Sequence, residues 1–159
     1  SMRVMKLDWP IDKFEKEFNT YCQTHSYGYD SVLNPGVREI LIWLKEHGYK
    51  TAVASSSTMY QIQTMESVCN LTGCFDQLLS GEMFNESKPN PEIYLTAAKK
   101  LNVRPEECIA VEDSKYGIAA GNAAGMRVLA YADDRYGVDQ SKAYAKIYKM
   151  QDIKKYLKD

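Results

Sequence analysis

Short apolar runs alternate with helical patterns along most of this chain, and this alternation constrains the possible fold more than any other feature. Each run has the length and composition of a β-strand, and each is followed by a segment with helical spacing. The predicted strands are 49–54, 76–79, 108–111 and 127–131. Strands joined by helices of this length predict parallel βαβ units with right-handed crossovers. The sequence therefore predicts an α/β fold with a parallel sheet and helices on both faces.

Cap residues mark the ends of the helices between these strands. Pro35 opens a helix that stops before Gly48, and the hydroxyl residues 55–58 offer caps for the helix that follows them. Asn90 and Pro91 supply a cap and a first-turn proline for the next helix. The remaining predicted helices are 11–25, 115–124 and 152–157.

Charge and composition argue against several classes of function. The chain has 20 basic and 21 acidic side chains, so it lacks the basic excess of a nucleic-acid-binding protein. It contains no apolar run approaching the roughly 18 residues of a membrane span. The four cysteines form no Cys-x-x-Cys pair, which argues against a zinc site and for reduced thiols. We therefore expect a cytoplasmic protein of one main domain that binds neither nucleic acid nor membranes.

Polar side chains follow three of the predicted strands. Ser55 follows the first, Lys88 lies in the loop after the second, and Glu112 and Asp113 end the third. The carboxyl ends of parallel strands meet at one edge of the sheet, where α/β proteins bind their ligands. A hydroxyl and an ammonium suit a phosphate, and neighbouring carboxylates suit Mg²⁺. The sequence therefore predicts a site for a phosphorylated small molecule and Mg²⁺ at this edge.

Each of these residues also has an ordinary structural interpretation. Ser55 is in a position to cap a helix, Lys88 is of a type that most often lies on the solvated surface, and Glu112-Asp113 precedes a helix that it could cap. Ser56 is a weaker candidate for phosphate binding, next to Ser55. The occurrence of all three groups after three separate strands favours a shared site.

Three segments resemble the motifs of the haloacid dehalogenase (HAD) superfamily, in particular its β-phosphoglucomutase-like phosphatases and mutases. Segment 49–57 is similar to the second motif, an apolar strand that ends in a serine. Segment 87–94 contains Lys-Pro-Asn-Pro and is similar to the third motif, and segment 108–126 is similar to the fourth. The resemblance extends from about Leu33 to Tyr131 and implies a HAD-like, Rossmann-type sheet.

The resemblance also implies roles for individual residues. Ser55, with Ser56 as the weaker candidate, would bind the transferring phosphoryl group, and Lys88 would act catalytically by neutralising its charge. Asp113, assisted by Glu112, would hold Mg²⁺. Gly117 and Gly121 would allow a helix to pack closely behind the site. The implied activity is a magnesium-dependent phosphatase or phosphomutase acting on small phosphorylated metabolites, such as sugar phosphates.

One expected motif is missing. The family reaction passes through an aspartyl phosphate whose nucleophile begins an Asp-x-Asp motif, and no such motif occurs in this sequence. Asp8 follows an apolar run, but the residue two positions later is Pro10, so Asp8 is more typical of a cap loop or helix start than of the nucleophile. We therefore expect residues 1–32 to be a remnant of a helical cap with its linker, 33–159 to be a partial core, and the chain alone to be inactive.

A missing nucleophile strand would leave a gap in the middle of the sheet. We expect this gap to be filled by another chain, by Val4–Leu7, or by direct pairing of the flanking strands, and an exposed edge would favour a homodimer. Two other functions stay open at this point. One is a non-catalytic fragment or pseudoenzyme that binds phosphate or a partner chain. The other is a receiver-like signalling domain, against which the long 112–126 segment argues.

Overall fold

The computed structural model describes residue 28, residues 33–132 and residues 137–157. The predicted helix 11–25, Asp8 and the segment Val4–Leu7 lie outside these residues, and so does Cys22. Leu33–Asp159 forms one compact unit. No helix in the described ranges is long and apolar enough to span a bilayer.

Helices and strands alternate through this unit in the order that the sequence predicts. We number the elements along the chain: α1 Val37–Glu46, β1 Ala52–Ser55, α2 Met59–Val68, β2 Gln77–Ser80, α3 Glu92–Leu101, β3 Ile109–Glu112, α4 Lys115–Ala123, β4 Arg127–Tyr131 and β5 Ala145–Ile147. Short 3₁₀ helices occupy Gly81–Met83, Pro105–Glu107 and Met150–Tyr156.

All strand pairs are parallel, as predicted, but the described strands form two sheets. β1 pairs with β2, and β4 lies between β3 and β5. The register places Ser55 opposite Ser80 and Glu112 opposite Ala130. Direct pairing of β1 with β3, one of the three ways in which we expected the gap to be filled, does not occur within the described residues.

The helix boundaries follow from local chemistry. Gly36 precedes α1 with φ 82°, a left-handed conformation that glycine adopts without steric cost. Thr58, the last of the four hydroxyl residues, is the cap of α2: its hydroxyl accepts from the Gln61 amide, and the Gln61 side chain accepts from the Thr58 amide. Ser55 therefore does not cap this helix.

Two differences from the prediction lie near the carboxyl end of the chain. β5 has only three residues, too few for a strand period to be visible in the sequence. The closing helix begins at Met150 rather than at residue 152, and it is a 3₁₀ helix in which only Ile153 is buried. Both elements are stabilised by contacts with β4. The local sequence does not encode these contacts.

The buried side chains form two clusters, one on each face of β4. Val128 and Ala130 belong to a cluster with residues of α3 and α4. Leu129 points the other way and packs with Ile40 of α1 and Ile153. This alternation confirms that helices cover both faces of the sheet. On the first face, Gly121 lets α4 approach closely, because a Cβ there would lie 2.7 Å from Val128 Cγ2.

Candidate phosphate and metal site

The carboxyl ends of the parallel strands bring the predicted site residues to one edge. Ser55 is the last residue of β1, Ser80 the last of β2, and Glu112 the last of β3. Lys88 lies in the loop between β2 and α3, and Asp113 directly follows β3. Three separate βα connections thus contribute residues to this edge.

Lys88 connects the two sheets. Its Nζ donates hydrogen bonds to the carbonyl oxygen of Ala54 at 2.9 Å and to Glu112 Oε1 at 2.5 Å. The side chains of Lys88 and Glu112 are only 11% and 9% exposed. This burial excludes the interpretation of Lys88 as a solvated surface lysine. A largely buried ion pair holds its geometry well, because losing one partner would leave an uncompensated charge.

Tyr94 is hydrogen bonded to both members of this ion pair, although sequence analysis did not identify it. Its hydroxyl donates to Glu112 Oε1 and accepts from Lys88 Nζ, which lies 3.2 Å away. Burial raises the pKa of the Tyr94 phenol well above its usual range, and the charge of Glu112, their hydrogen bond and the charge of Asp113 raise this pKa further. The phenol is therefore a permanent hydrogen-bond donor.

Glu112 is held at both of its carboxylate oxygens. While Lys88 and Tyr94 contact Oε1, the Ser114 hydroxyl donates to Oε2 at 3.3 Å. The same Ser114 hydroxyl accepts from the amide of Gly117 and so caps α4. Any side chain at position 117 would overlap the Glu112 carboxylate. Gly117 thus makes room for the carboxylate, whereas Gly121 makes room for the sheet.

A serine-rich turn, residues 55–57, forms the other side of the site. Ser55 Oγ accepts from the Ser57 amide at 3.1 Å, which leaves its hydroxyl proton available to a ligand, and Ser56 is exposed. The fully buried Ser80 donates to the Ser57 carbonyl at 2.7 Å and fixes the turn from below. Ser80 is a second residue that sequence analysis missed.

Glu82 takes up one of the backbone amides at the start of α2, where a helix N-terminus could otherwise bind phosphate. Its carboxylate accepts from the Met59 amide at 2.9 Å. The amide of Gln61 also has an acceptor within the protein, the Thr58 hydroxyl. The serine hydroxyls of the turn, rather than these amides at the start of α2, are therefore the donors offered to a ligand.

Asp113 is exposed, and its carboxylate makes no hydrogen bond or ion pair with the residues that the structure describes. Its backbone is fixed by Gln140, which is 4% exposed and whose Nε2 donates to the carbonyls of Asp113 and Tyr131 at 3.0 and 2.8 Å. A free carboxylate on a fixed backbone is suited to binding a cation. Gln140 lies 27 residues beyond Asp113, and no sequence pattern linked the two.

The donor chemistry of these residues fits Mg²⁺ in part. Within the described ranges, no three His, Cys, Asp or Glu residues lie close enough together to hold a metal. Asp113 offers one free carboxylate, while the Glu112 carboxylate already has three donors. Mg²⁺ is commonly bound through one or two carboxylates, with water and phosphate oxygens completing its octahedron. This partial set of ligands is therefore compatible with Mg²⁺ bound together with a phosphate.

Comparisons with known proteins agree with this geometry. Residues 3–131 match the haloacid dehalogenase-like hydrolase family. Hexitol phosphatase B of Escherichia coli K12 is 42% identical over 97 residues, which are 61% of this chain and 44% of that protein. The phosphorylated carbohydrates phosphatase of Thermotoga maritima is 37% identical over 108 residues, 68% of this chain and 47% of that protein. The chain thus spans about half the length of these relatives.

A solved structure is also similar. The β-phosphoglucomutase of Clostridium difficile superposes with a TM-score of 0.70 and 28% identity, over 79% of this chain and 56% of that one. Family and fold therefore agree with the arrangement of the site.

Proposed function

The chain belongs to the haloacid dehalogenase-like hydrolase family, and from this premise we propose that it supplies the phosphate- and magnesium-binding part of a phosphatase or phosphomutase for small phosphorylated carbohydrates. One observation carries the proposal: the buried Lys88 ammonium bridges β1 and β3 at the edge where Ser55 and Asp113 also lie. A cation fixed beside Ser55 and Asp113 can neutralise the charge of a phosphoryl group, as phosphoryl transfer requires.

Each residue has a distinct task in this proposal. The Ser55 hydroxyl donates to a phosphate oxygen, with Ser56 as an additional donor, and Lys88 balances the phosphate charge. Asp113 holds Mg²⁺, with Glu112 assisting, and the metal supplies further charge neutralisation when it is bound. Because phosphoryl transfer depends mainly on positioning and electrostatic stabilisation, preorganised groups of this kind supply much of the catalysis.

The attacking carboxylate is the part that this chain does not supply in our proposal. Covalent transfer needs a carboxylate in line with phosphorus, and the sequence has no Asp-x-Asp motif. Ser55 and Lys88 position and neutralise the phosphate but do not replace that group. We therefore propose that the 159-residue chain binds phosphate but does not turn over phosphate esters.

The substrate class, partners and location are inferred from more general evidence. Relatives named for hexitol, phosphorylated carbohydrates and β-phosphoglucomutase support a phosphorylated sugar or polyol as substrate. Strands β1 and β3 each have one neighbour within the described residues, which supports our proposal that a further strand, including one from a second copy, pairs there. The thiols of Cys74 and Cys108, which form no disulfide within the described residues, support a reducing, cytoplasmic location.

A second candidate function is phosphate binding without catalysis. The absence of an Asp-x-Asp motif favours this alternative, because every other group of the site can bind a ligand without reacting with it. The two candidates differ in one measurable property: only the first requires that addition of a suitable nucleophile-bearing segment restores turnover.

The test is inorganic phosphate binding by the 159-residue chain with Mg²⁺, measured by calorimetry, beside an aryl phosphate hydrolysis assay. We expect phosphate binding, and we expect Lys88→Met to weaken it by at least about tenfold, because it removes the central charge. Lys99→Met is the matched control: Lys99 is an exposed lysine of α3 and should leave binding unchanged. Hydrolysis should be absent from all three proteins.

Two results would contradict the proposal. Equal phosphate binding by the Lys88 and Lys99 variants would remove Lys88 from the site. Robust hydrolysis by the chain that disappears in Asp8→Asn would make Asp8 the nucleophile and overturn our interpretation of the missing motif.

A further inference from the structure

Tyr94 lies where three elements of the fold meet, and the proposed function gives it no task. It belongs to α3, which packs against β1 and β2, yet its hydroxyl reaches the last residue of β3. The residue is 7% exposed. The Lys88 ammonium lies 4.8 Å from the centroid of its ring, within the range of a cation–π contact. Tyr94 thus contacts Lys88 through both its ring and its hydroxyl.

The hydroxyl limits the directions in which Lys88 can point. Because the Tyr94 hydroxyl and Glu112 Oε1 are hydrogen bonded to each other, they approach the ammonium from the same side. The Ala54 carbonyl accepts from a different direction, at 2.9 Å. An ammonium has three N–H donors. The tyrosine–glutamate pair takes one side of the ammonium and Ala54 another, so no more than one N–H of Lys88 can point at a ligand.

We propose that Tyr94 is a positioning residue whose hydroxyl locks Lys88 and Glu112 into the single arrangement that points a lysine N–H at bound phosphate. The inference rests on the proposed function, since it assigns Lys88 a phosphate ligand. The ring alone does not provide this control, because a cation–π contact is compatible with many rotations of the ammonium. The hydroxyl provides this control because it fixes the Glu112 carboxylate, to which the Lys88 ammonium is hydrogen bonded.

The test compares the full chain with Tyr94→Phe, which keeps the ring and removes only the hydroxyl. Tyr116→Phe makes the same chemical change at a tyrosine of α4 that is 65% exposed, and it serves as the control. Two quantities are measured: inorganic phosphate affinity with Mg²⁺ by calorimetry, and the ¹⁵N-edited NMR resonance of the Lys88 ammonium, assigned by its absence from Lys88→Met.

We expect Tyr94→Phe to weaken phosphate binding by about tenfold, the size of a lost hydrogen bond to a charged group. The Lys88 ammonium resonance should shift or broaden in the same variant, because its protons exchange faster with water. Tyr116→Phe should change neither quantity. In the unmodified chain, the ammonium protons should show a nuclear Overhauser effect to the Tyr94 ring.

Two outcomes of this comparison would overturn the inference. An unchanged ammonium resonance in Tyr94→Phe would do so whether or not phosphate binding weakens, and so would unchanged phosphate affinity beside an altered resonance. If Tyr94→Phe does not fold, the Overhauser effect in the unmodified chain decides, and its absence refutes the contact. If the unmodified chain binds no phosphate, the proposed function fails, while the ammonium resonance still tests whether Tyr94 restrains Lys88.

Discussion

The two sheets of the molecule are built from the same βα units, but β4 of one sheet and β1 of the other differ in how deeply they are buried. In the β3–β4–β5 sheet, Val128, Leu129 and Ala130 of the middle strand are completely inaccessible. In the β1–β2 sheet, all four residues of β1 are only half-buried. β4 has a strand on each side and helices on both faces, whereas β1 has one neighbouring strand among the described residues.

This difference separates the part of the fold that contributes most to stability from the part that carries the proposed phosphate-binding turn. Burial of apolar surface is deepest along β4, so truncations there should cost more of the free energy of unfolding than truncations in β1. The serine turn that we propose to bind phosphate follows β1, the less buried of these two strands. Lys88 joins the two by contacting Ala54 on one side and Glu112 on the other.

The largest expected effect separates the cores of the two sheets. Leu129→Ala removes a fully buried side chain of β4 and should lower the free energy of unfolding by about 3–4 kcal/mol. Val53→Ala makes a somewhat smaller truncation in the half-buried β1 and should cost only about 1 kcal/mol. Urea denaturation of both variants measures the two values. Equal losses would show that β1 is covered as completely as β4.

An intermediate effect compares two serines at the ends of strands. Ser80→Ala removes a fully buried hydroxyl that donates to Ser57 and accepts from the Glu82 amide, and it should cost about 2 kcal/mol. Ser114→Ala removes the cap of α4 and should cost about 1 kcal/mol.

Only the first of these serine changes should disturb the turn 55–57, which we propose to bind phosphate. Phosphate titrations should therefore show weaker binding for Ser80→Ala than its loss of stability alone predicts. Unchanged phosphate binding by Ser80→Ala would show that the order of the turn does not depend on Ser80 of β2.

The smallest expected effect concerns the 3₁₀ helix that covers the β3–β4–β5 sheet. Hydrogen bonding to Lys155, and to the amides of Lys149 and Tyr148, lowers the pKa of Asp152 below its usual value. A lowered folded-state pKa stabilises the protein above the unfolded-state pKa, near 4, and this contribution is lost as the pH falls through the folded-state value.

Asp152→Asn should therefore lower the melting temperature at neutral pH by less than Ser114→Ala does. The melting temperatures of Asp152→Asn and of the unmodified chain should converge at acidic pH, below the folded-state pKa of Asp152. A difference that grows towards acidic pH would have the wrong sign and would exclude this account of the carboxylate.

Much of the site could be predicted from the sequence, because its residues stand at fixed places in local patterns. Ser55, Lys88 and Asp113 each follow a recognisable apolar run, so their shared edge follows from parallel pairing alone. The residues that hold them could not be found in this way. Tyr94 looks like an ordinary apolar position of a helix, Ser80 like the end of a strand, and Gln140 like a loop residue.

The sequence by itself determined the order of helices and strands, their parallel direction and the edge at which polar groups collect. These properties depend on residue spacing, caps and apolar runs, which act within a few residues of the chain. The tertiary structure alone decided how those groups are held. Tyr94 reaches Glu112 across 18 residues, Ser80 reaches Ser57 across 23, and Gln140 reaches Asp113 across 27. It also decided the split of the sheet and the pairing of β5, because strand neighbours are chosen by packing between distant segments, which no local pattern specifies.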